Sequence, residues 1–226
     1  MAHEVRLEKK KFQNIKSVGS RRVLEDFQLA RCEFNGCVLG QFDDPAFGLV
    51  VRNVAAERVT VKRSVVQGVR FEDVLVDGLA TTSVMHLTGC VFRRVTLRGR
   101  IGAVMATPPS FSLSDENQAA FADGIRQFYA DVDWALDISE AEFDEADFYY
   151  VPGHLVRRDP ETQFLIHRDR VAQVDTGKLS VFARIAIERF EVTPFDSIVA
   201  VAPRRADYFA EALAGFQELK VMGVAE

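Results

Sequence analysis

No stretch of the 226 residues approaches the ~20 unbroken apolar residues that a membrane helix needs. Arg6, Lys9, Lys10, Lys11 and Lys16 crowd the first twenty positions, but no apolar segment accompanies them, so no secretory signal is expected. Three cysteines are too few and too oddly numbered for a disulfide framework, and a reducing cytoplasm is the expected location. Catalytic signatures are missing as well: there is no G-x-S-x-G, H-E-x-x-H, paired C-x-x-C or kinase-type motif. Ala202-Pro203-Arg204-Arg205 is neither a Walker loop nor a dinucleotide fingerprint. No cofactor is expected, and the chain reads as non-enzymatic.

What is present is a globular balance of 48% hydrophobic and 27% charged residues. The net charge of -5 is unevenly spread. Residues 1–100 carry 17 Lys+Arg against 11 Asp+Glu, and residues 101–226 carry 11 against 22. An acidic second half steers towards a basic partner, and the first half towards an acidic one, unless the two halves simply dock on each other.

Neither the helical period nor strand alternation describes the first hundred residues, but a step of five does. Leu24, Leu29, Phe34 and Leu39 follow it, with Phe27, Cys32 and Cys37 two residues before the last three. After a break at Gln41–Ala46, Leu49 and Val54 are expected to resume the same frame. A shift follows, and Val61, Val66, Phe71 and Val76 continue, preceded by Val59, Ser64, Val69 and Val74. One further residue enters near Thr81–Ser83, and then Leu87, Phe92 and Leu97 follow Met85, Cys90 and Val95. Three clearer copies begin at Leu136, Ala141 and Ala146.

This pattern resembles the pentapeptide repeat family over about 22–99 and 136–150. The resemblance implies a right-handed, four-sided β-helix with four pentapeptides per coil. Each central Leu or Phe then points inward, as does the smaller residue two before it, and the other three face water. Stacked coils share a core, and the ends need caps. In that arrangement Cys32, Cys37 and Cys90 are buried small hydrophobes and not nucleophiles or metal ligands. Both interruptions are expected to bulge outward.

Beyond Pro108-Pro109, Ser114 is a natural N-cap, and Phe121, Ile125, Phe128 and Val132 recur at helical spacing, predicting a helix over about 115–132. Its apolar face closes the end of the coil or covers one side. Residues 154–158 and 163–167 read as a hairpin, with His154 opposite His167 and Asp169 as a third metal ligand in the weaker reading. Arg157, Arg158, Arg168 and Arg170 make that hairpin a basic patch able to grip a carboxylate or phosphate. Leu179–Val192 fits either helix or strand. A strand over Ser197–Ala202, a helix from Pro203 and a last strand over Leu219–Ala225 suggest a small βαβ unit. The expected fold is therefore mainly β with an α/β C-terminal part. It divides into a degenerate pentapeptide-repeat β-helix over 1–107, a capping helix plus further repeats over 108–150, and a small α/β subdomain over 151–226.

The leading functional expectation is a non-catalytic bacterial protein-binding module, in one form an immunity or antitoxin-like protein that neutralises a partner enzyme. Its binding residues are expected on the acidic strip Asp137, Glu140, Glu142, Asp144, Glu145 and Asp147 and at Arg157 and Arg158, facing a basic protein partner. Imitation of duplex DNA to bind a type II topoisomerase, a function the resemblance implies, is the alternative. A metal- or phosphate-dependent enzyme on the 154–170 hairpin is the third. Neither membrane binding nor direct nucleic-acid binding is expected.

Overall fold

The structure, a computed structural model, describes residues 4–172 and 174–226. It is mainly β, built on one large curled sheet of 14 strands whose pairings are all parallel. The strands come in successive passes of the chain. The first holds β1 (Val5–Glu8), β2 (Lys11–Gln13) and β3 (Lys16–Val18); the second β4 (Arg22–Ala30), β5 (Glu33–Asn35) and β6 (Val38–Gly40). The third holds β7 (Leu49–Lys62) and β8 (Val65–Gln67), the fourth β9 (Arg70–Thr81) and β10 (Met85–Thr88), and the fifth the single long β11 (Val91–Thr107). After a helical excursion, β12 (Leu136–Asp137) and β13 (Ala141–Asp147) lie on β11, and β14 (Val156–Arg157) lies on β12.

Register turns the five-residue rhythm into columns. Leu7, Leu29, Ala56, Val76 and Leu97 pair into one column, and Leu24, Val51, Phe71 and Phe92 into a second. Phe12, Phe34 and Val61 make a third, and Leu39, Val66, Leu87 and Ala106 a fourth. Phe92 is 2% exposed and its ring stacks on Phe71 at 5.8 Å. Burying each such side chain contributes about 1.5–3 kcal/mol. The turns between sides are made by left-handed residues that recur at the same interval: in the third pass Asn53, Arg58, Arg63 and Gly68 have φ of 52°, 50°, 46° and 64°. A left-handed residue reverses the local curl of an extended chain, which is why each side is short.

The expected frame at Leu49 and Val54 needs correction. Leu49 pairs with Arg22 and Val54 with Phe27, so Val51 and Ala56 hold the places expected of them. The shift lies inside the break and not after it. Arg52 and its partner Glu25 are 27 residues apart across the break, Val51 and Phe71 are 20 apart where the chain is uninterrupted, and Asp73 and Arg94 are 21 apart across the single added residue near Thr81–Ser83. Phe42, Asp43 and Ala46 of this break are exposed, but its start and the residue that follows it turn inward. Gln41 is fully buried and its Nε2 donates to Asp44 O and Gly68 O, both at 2.8 Å. The Asp44 carboxylate accepts from the backbone N–H groups of Ala46 and Gly48. Phe47, 1% exposed, is turned into an aromatic cluster with Phe121 and Phe128.

Those two rings belong to α1 (Asp115–Ala130), capped by Ser114, whose side chain accepts from Asn117 N. The helix covers one side of the sheet. Tyr129 bonds the helix to the sheet, its hydroxyl oxygen accepting from Phe92 N at 3.3 Å.

Several C-terminal expectations are overturned. The 154–158 and 163–167 segments do not form a hairpin. Val156 and Arg157 pair with Leu136 and Asp137, extending the large sheet, while β15 (Gln163–His167) pairs antiparallel with β16 (Ser197–Val201). The reason is hydrophobic: Val156 is buried when it continues the Val95–Leu136 column and would leave that column open in a hairpin. Arg168–Val171 forms the short α2, and the ambiguous Leu179–Val192 contains α3 (Val181–Glu188). The helix expected from Pro203 begins later, as α4 (Phe209–Val221), after two turns closed by Ala206 N to Pro203 O and Phe209 N to Ala206 O. The last strand shrinks to one antiparallel bridge of Ala225 with Ile166, on the edge of β15 opposite β16, so no βαβ unit forms.

Candidate functional site

The acidic strip is brought together, and three of its six carboxylates are neutralised within the chain, while half-buried Glu145 makes no ion pair among the described residues. Asp144 pairs with Arg205 at 3.3 Å, Asp147 with Arg189 at 2.8 Å and Asp137 with Arg157 at 3.9 Å. Glu140 and Glu142 are exposed, and neither makes an ion pair among the described residues. Asp147 is the deepest of the set. Burial pushes its carboxyl up, against the opposing pull of Arg189 and of the Tyr149 N–H. Arg189 in turn lies over the Tyr149 ring at 4.6 Å. Asp147 and Arg189 line a cavity of about 220 Å³ between β13, α3, β16 and α4, whose other walls include Met105, Ile185, Val199 and Phe216. The arrangement ties the C-terminal elements to the large sheet.

The expected basic patch is dispersed. Arg157 lies over Trp134 at 4.2 Å, Arg170 pairs with Glu226 at 2.7 Å, and Arg168 donates to the carbonyls of Phe190, Thr193 and Phe195. Arg168 is thus a clamp for the loop before β16, and Arg158 is half-buried without an ion-pair partner among the described residues. His154 and His167 lie on different elements, both near Ser197. His154 Nδ1 is 3.5 Å from Ser197 Oγ, and His167 Nε2 is 3.8 Å from Glu226. Asp169 sits on α2, and no three His, Cys, Asp or Glu side chains converge among the described residues.

Cys32 and Cys90 are 1% and 2% exposed, and Cys37 is half-buried. Their sulfurs face backbone carbonyls, Cys32 Sγ at 3.4 Å from Leu7 O and Cys90 Sγ at 3.5 Å from Thr88 O. Burial pushes the Cys90 thiol up to about 12, so it stays protonated.

The two ends of the sheet differ. At the C-terminal end, Ile138, Phe143, Phe148 and Val151 are buried beneath β14, β15 and β16. At the N-terminal end β1, β2 and β3 each pair on one side only among the described residues, with β4, β5 and β6. Val5, Ile15, Val18 and Val23 are 43%, 51%, 42% and 47% exposed there. Phe12 is half-buried, and among the described residues only Phe34 stacks on it, at 4.9 Å.

Charge follows the same asymmetry. Along the sides, an acid in one pass meets a base in the next: Glu8 with Arg31, Glu25 with Arg52, Glu33 with Lys62, Asp73 with Arg94 and Asp77 with Arg98. The Arg94 guanidinium holds the Asp73 carboxyl below its ordinary range. In the first pass Arg6, Lys9, Lys10, Lys11 and Lys16 are all exposed and none has an ion-pair partner among the described residues. Sequence reasoning noted these cations but missed the site, because exposure at the end of a stack depends on which pass is last.

Comparison with known proteins finds no matching family model, no similar curated protein and no similar solved structure.

Proposed function

We propose that this chain is a non-catalytic protein-binding module, and that its curled parallel sheet is a right-handed, four-sided coil of the pentapeptide-repeat kind. Left-handed residues at five-residue intervals and the four columns of paired apolar residues support the coil. The open N-terminal end carries the functional reading. It joins exposed apolar side chains, three strands with a free edge, and unpaired cations on a rigid scaffold. A pre-organised surface lowers the ordering cost of association. An exposed sheet edge of this kind invites another chain to pair with it. A partner enzyme held and neutralised there is the concrete form.

The DNA-mimic reading has less support, since three of the six strip carboxylates are already paired with arginines. The enzyme reading loses its hairpin. No helix among the described residues is long and apolar enough to cross a membrane.

The test is site-specific photo-crosslinking in the native host from Ile15 and, as a comparison, from Glu142. The captured protein is then purified and titrated against the isolated chain. The expected outcome is one partner captured from Ile15 whose binding is reproduced with purified components. No reproducible protein partner at either position overturns the reading.

A further inference from the structure

We infer that the open N-terminal end binds an extended acidic polypeptide segment, which adds to the sheet as a further strand. This rests on the protein-binding reading above and names the chemistry of the partner. Three observations define the occupant. First, β1, β2 and β3 have one edge each that is unpaired among the described residues, and main-chain bonding to such an edge requires an extended peptide. Second, the apolar surface is a set of unfinished columns. Phe12 stacks on Phe34 on one face only, and Val5 and Ile15 are about half exposed, so an added strand must bring apolar side chains at every second position. Third, the outward neighbours in these strands are cations: Lys11 precedes Phe12, Lys16 follows Ile15, and Arg6 follows Val5. Acidic residues alternating with apolar ones continue the acid–base ladder that links the passes below.

The same charges decide against a second copy of this chain. Two such ends face to face would oppose Lys9, Lys10, Lys11 and Lys16 of each copy, and like charges brought together at an interface cost several kcal/mol. A nucleic acid satisfies the cations but has no backbone amides for the strand edge.

The experiment uses the full chain and a labelled peptide of about twelve residues alternating Glu and Val. Affinity is read by fluorescence anisotropy and location by amide hydrogen exchange. The expected result is saturable binding that protects amides within Val5–Val18 and weakens at least about tenfold on raising NaCl from about 50 to about 300 mM. A peptide of the same composition in two blocks, and the Lys10→Glu/Lys11→Glu and Ile15→Asp variants, should each bind about tenfold more weakly or worse. All three changes lie at exposed positions, and unchanged circular dichroism and thermal midpoint establish that the variants fold. Equal affinity for the block peptide or for oligothymidine overturns the inference in favour of a plain cationic patch. Absence of binding, protection elsewhere, or a dimer in sedimentation that Ile15→Asp dissociates also overturns it. A host partner that binds the wild type and both variants alike overturns strand addition while leaving the protein-binding reading intact.

Discussion

Arg58 stands at an outward turn with φ of 50° and most of its side chain in solvent. Its only ion pair among the described residues, with Glu57 at 3.6 Å, is exposed and contributes little. A left-handed conformation costs an L-residue about 1–2 kcal/mol, and glycine avoids that cost while adding about 0.5–1 kcal/mol of unfolded-chain entropy. Arg58→Gly is therefore expected to leave stability unchanged or raise it by up to about 1 kcal/mol, and Arg58→Val, β-branched, to lower it by about 1–2 kcal/mol. Urea denaturation of the two variants checks the sign, and a more stable valine variant would contradict the left-handed turn. The same logic explains why these turns were hard to read in the sequence. Glycine marks them at Gly36, Gly68, Gly78 and Gly99, but Lys9, Arg31, Arg58 and Arg94 occupy equivalent places and carry no local signal. Cys32 and Cys90 were legible, because a small apolar side chain two residues before each central one is expected on the same buried face of the curled sheet.

At the scale of elements, the break in the rhythm and the helix turn out to be one feature. Gly124 of α1 packs so closely on the carbonyl of Pro45 that an added Cβ would sit well inside van der Waals contact, with the Phe47 ring also beside it. Gly124→Ala gains about 1 kcal/mol of intrinsic helix propensity. Overpacking against a fixed backbone costs about 1–3 kcal/mol or more, and should win. The expected outcome is net destabilisation by about 1–2 kcal/mol, sub-additive with Phe47→Ala in a double-mutant cycle because both loosen one interface. Additive effects would show that loop and helix are independent. Helix α1 was legible from its cap and its apolar spacing. Its partner was not, since nothing local in Gln41–Gly48 says that Phe47 turns inward to meet it. The misread hairpin at 154–167 has the same origin: a strand–turn–strand pattern cannot reveal that Val156 is needed on an existing column while β15 is needed by β16.

For the whole molecule, stability should fall from the middle of the large sheet towards its open end. β9 and β11 are paired on both sides along most of their length, whereas β1, β2 and β3 are paired on one and exchange apolar contact for water on the other. In a stacked array each pass contacts only its neighbours, so an end pass opens most readily. Native-state hydrogen exchange is expected to show the least protected strand amides in Val5–Val18 and the most protected in Arg70–Leu97. Uniform protection throughout would mean that the sheet opens only as a unit. The split in charge takes on meaning at this scale too. Many cations of the first hundred residues meet acids of a neighbouring pass, and the surplus gathers in the first pass, on the edge that meets no other described strand.

The amino-acid order alone determined the repeating step, the inward positions over most of the first five passes, the burial of Cys32 and Cys90, and the cap and extent of α1. Each of these depends on side-chain volume and polarity within a few neighbouring residues. Only the tertiary structure decided the frame at Leu49–Ala56, the pairing of the strip carboxylates with Arg157, Arg189 and Arg205, the dispersal of the supposed hairpin, and which end of the sheet stays open. Those outcomes turn on long-range competition for a limited number of buried and hydrogen-bonded places, and no local stretch of sequence records which contender takes them.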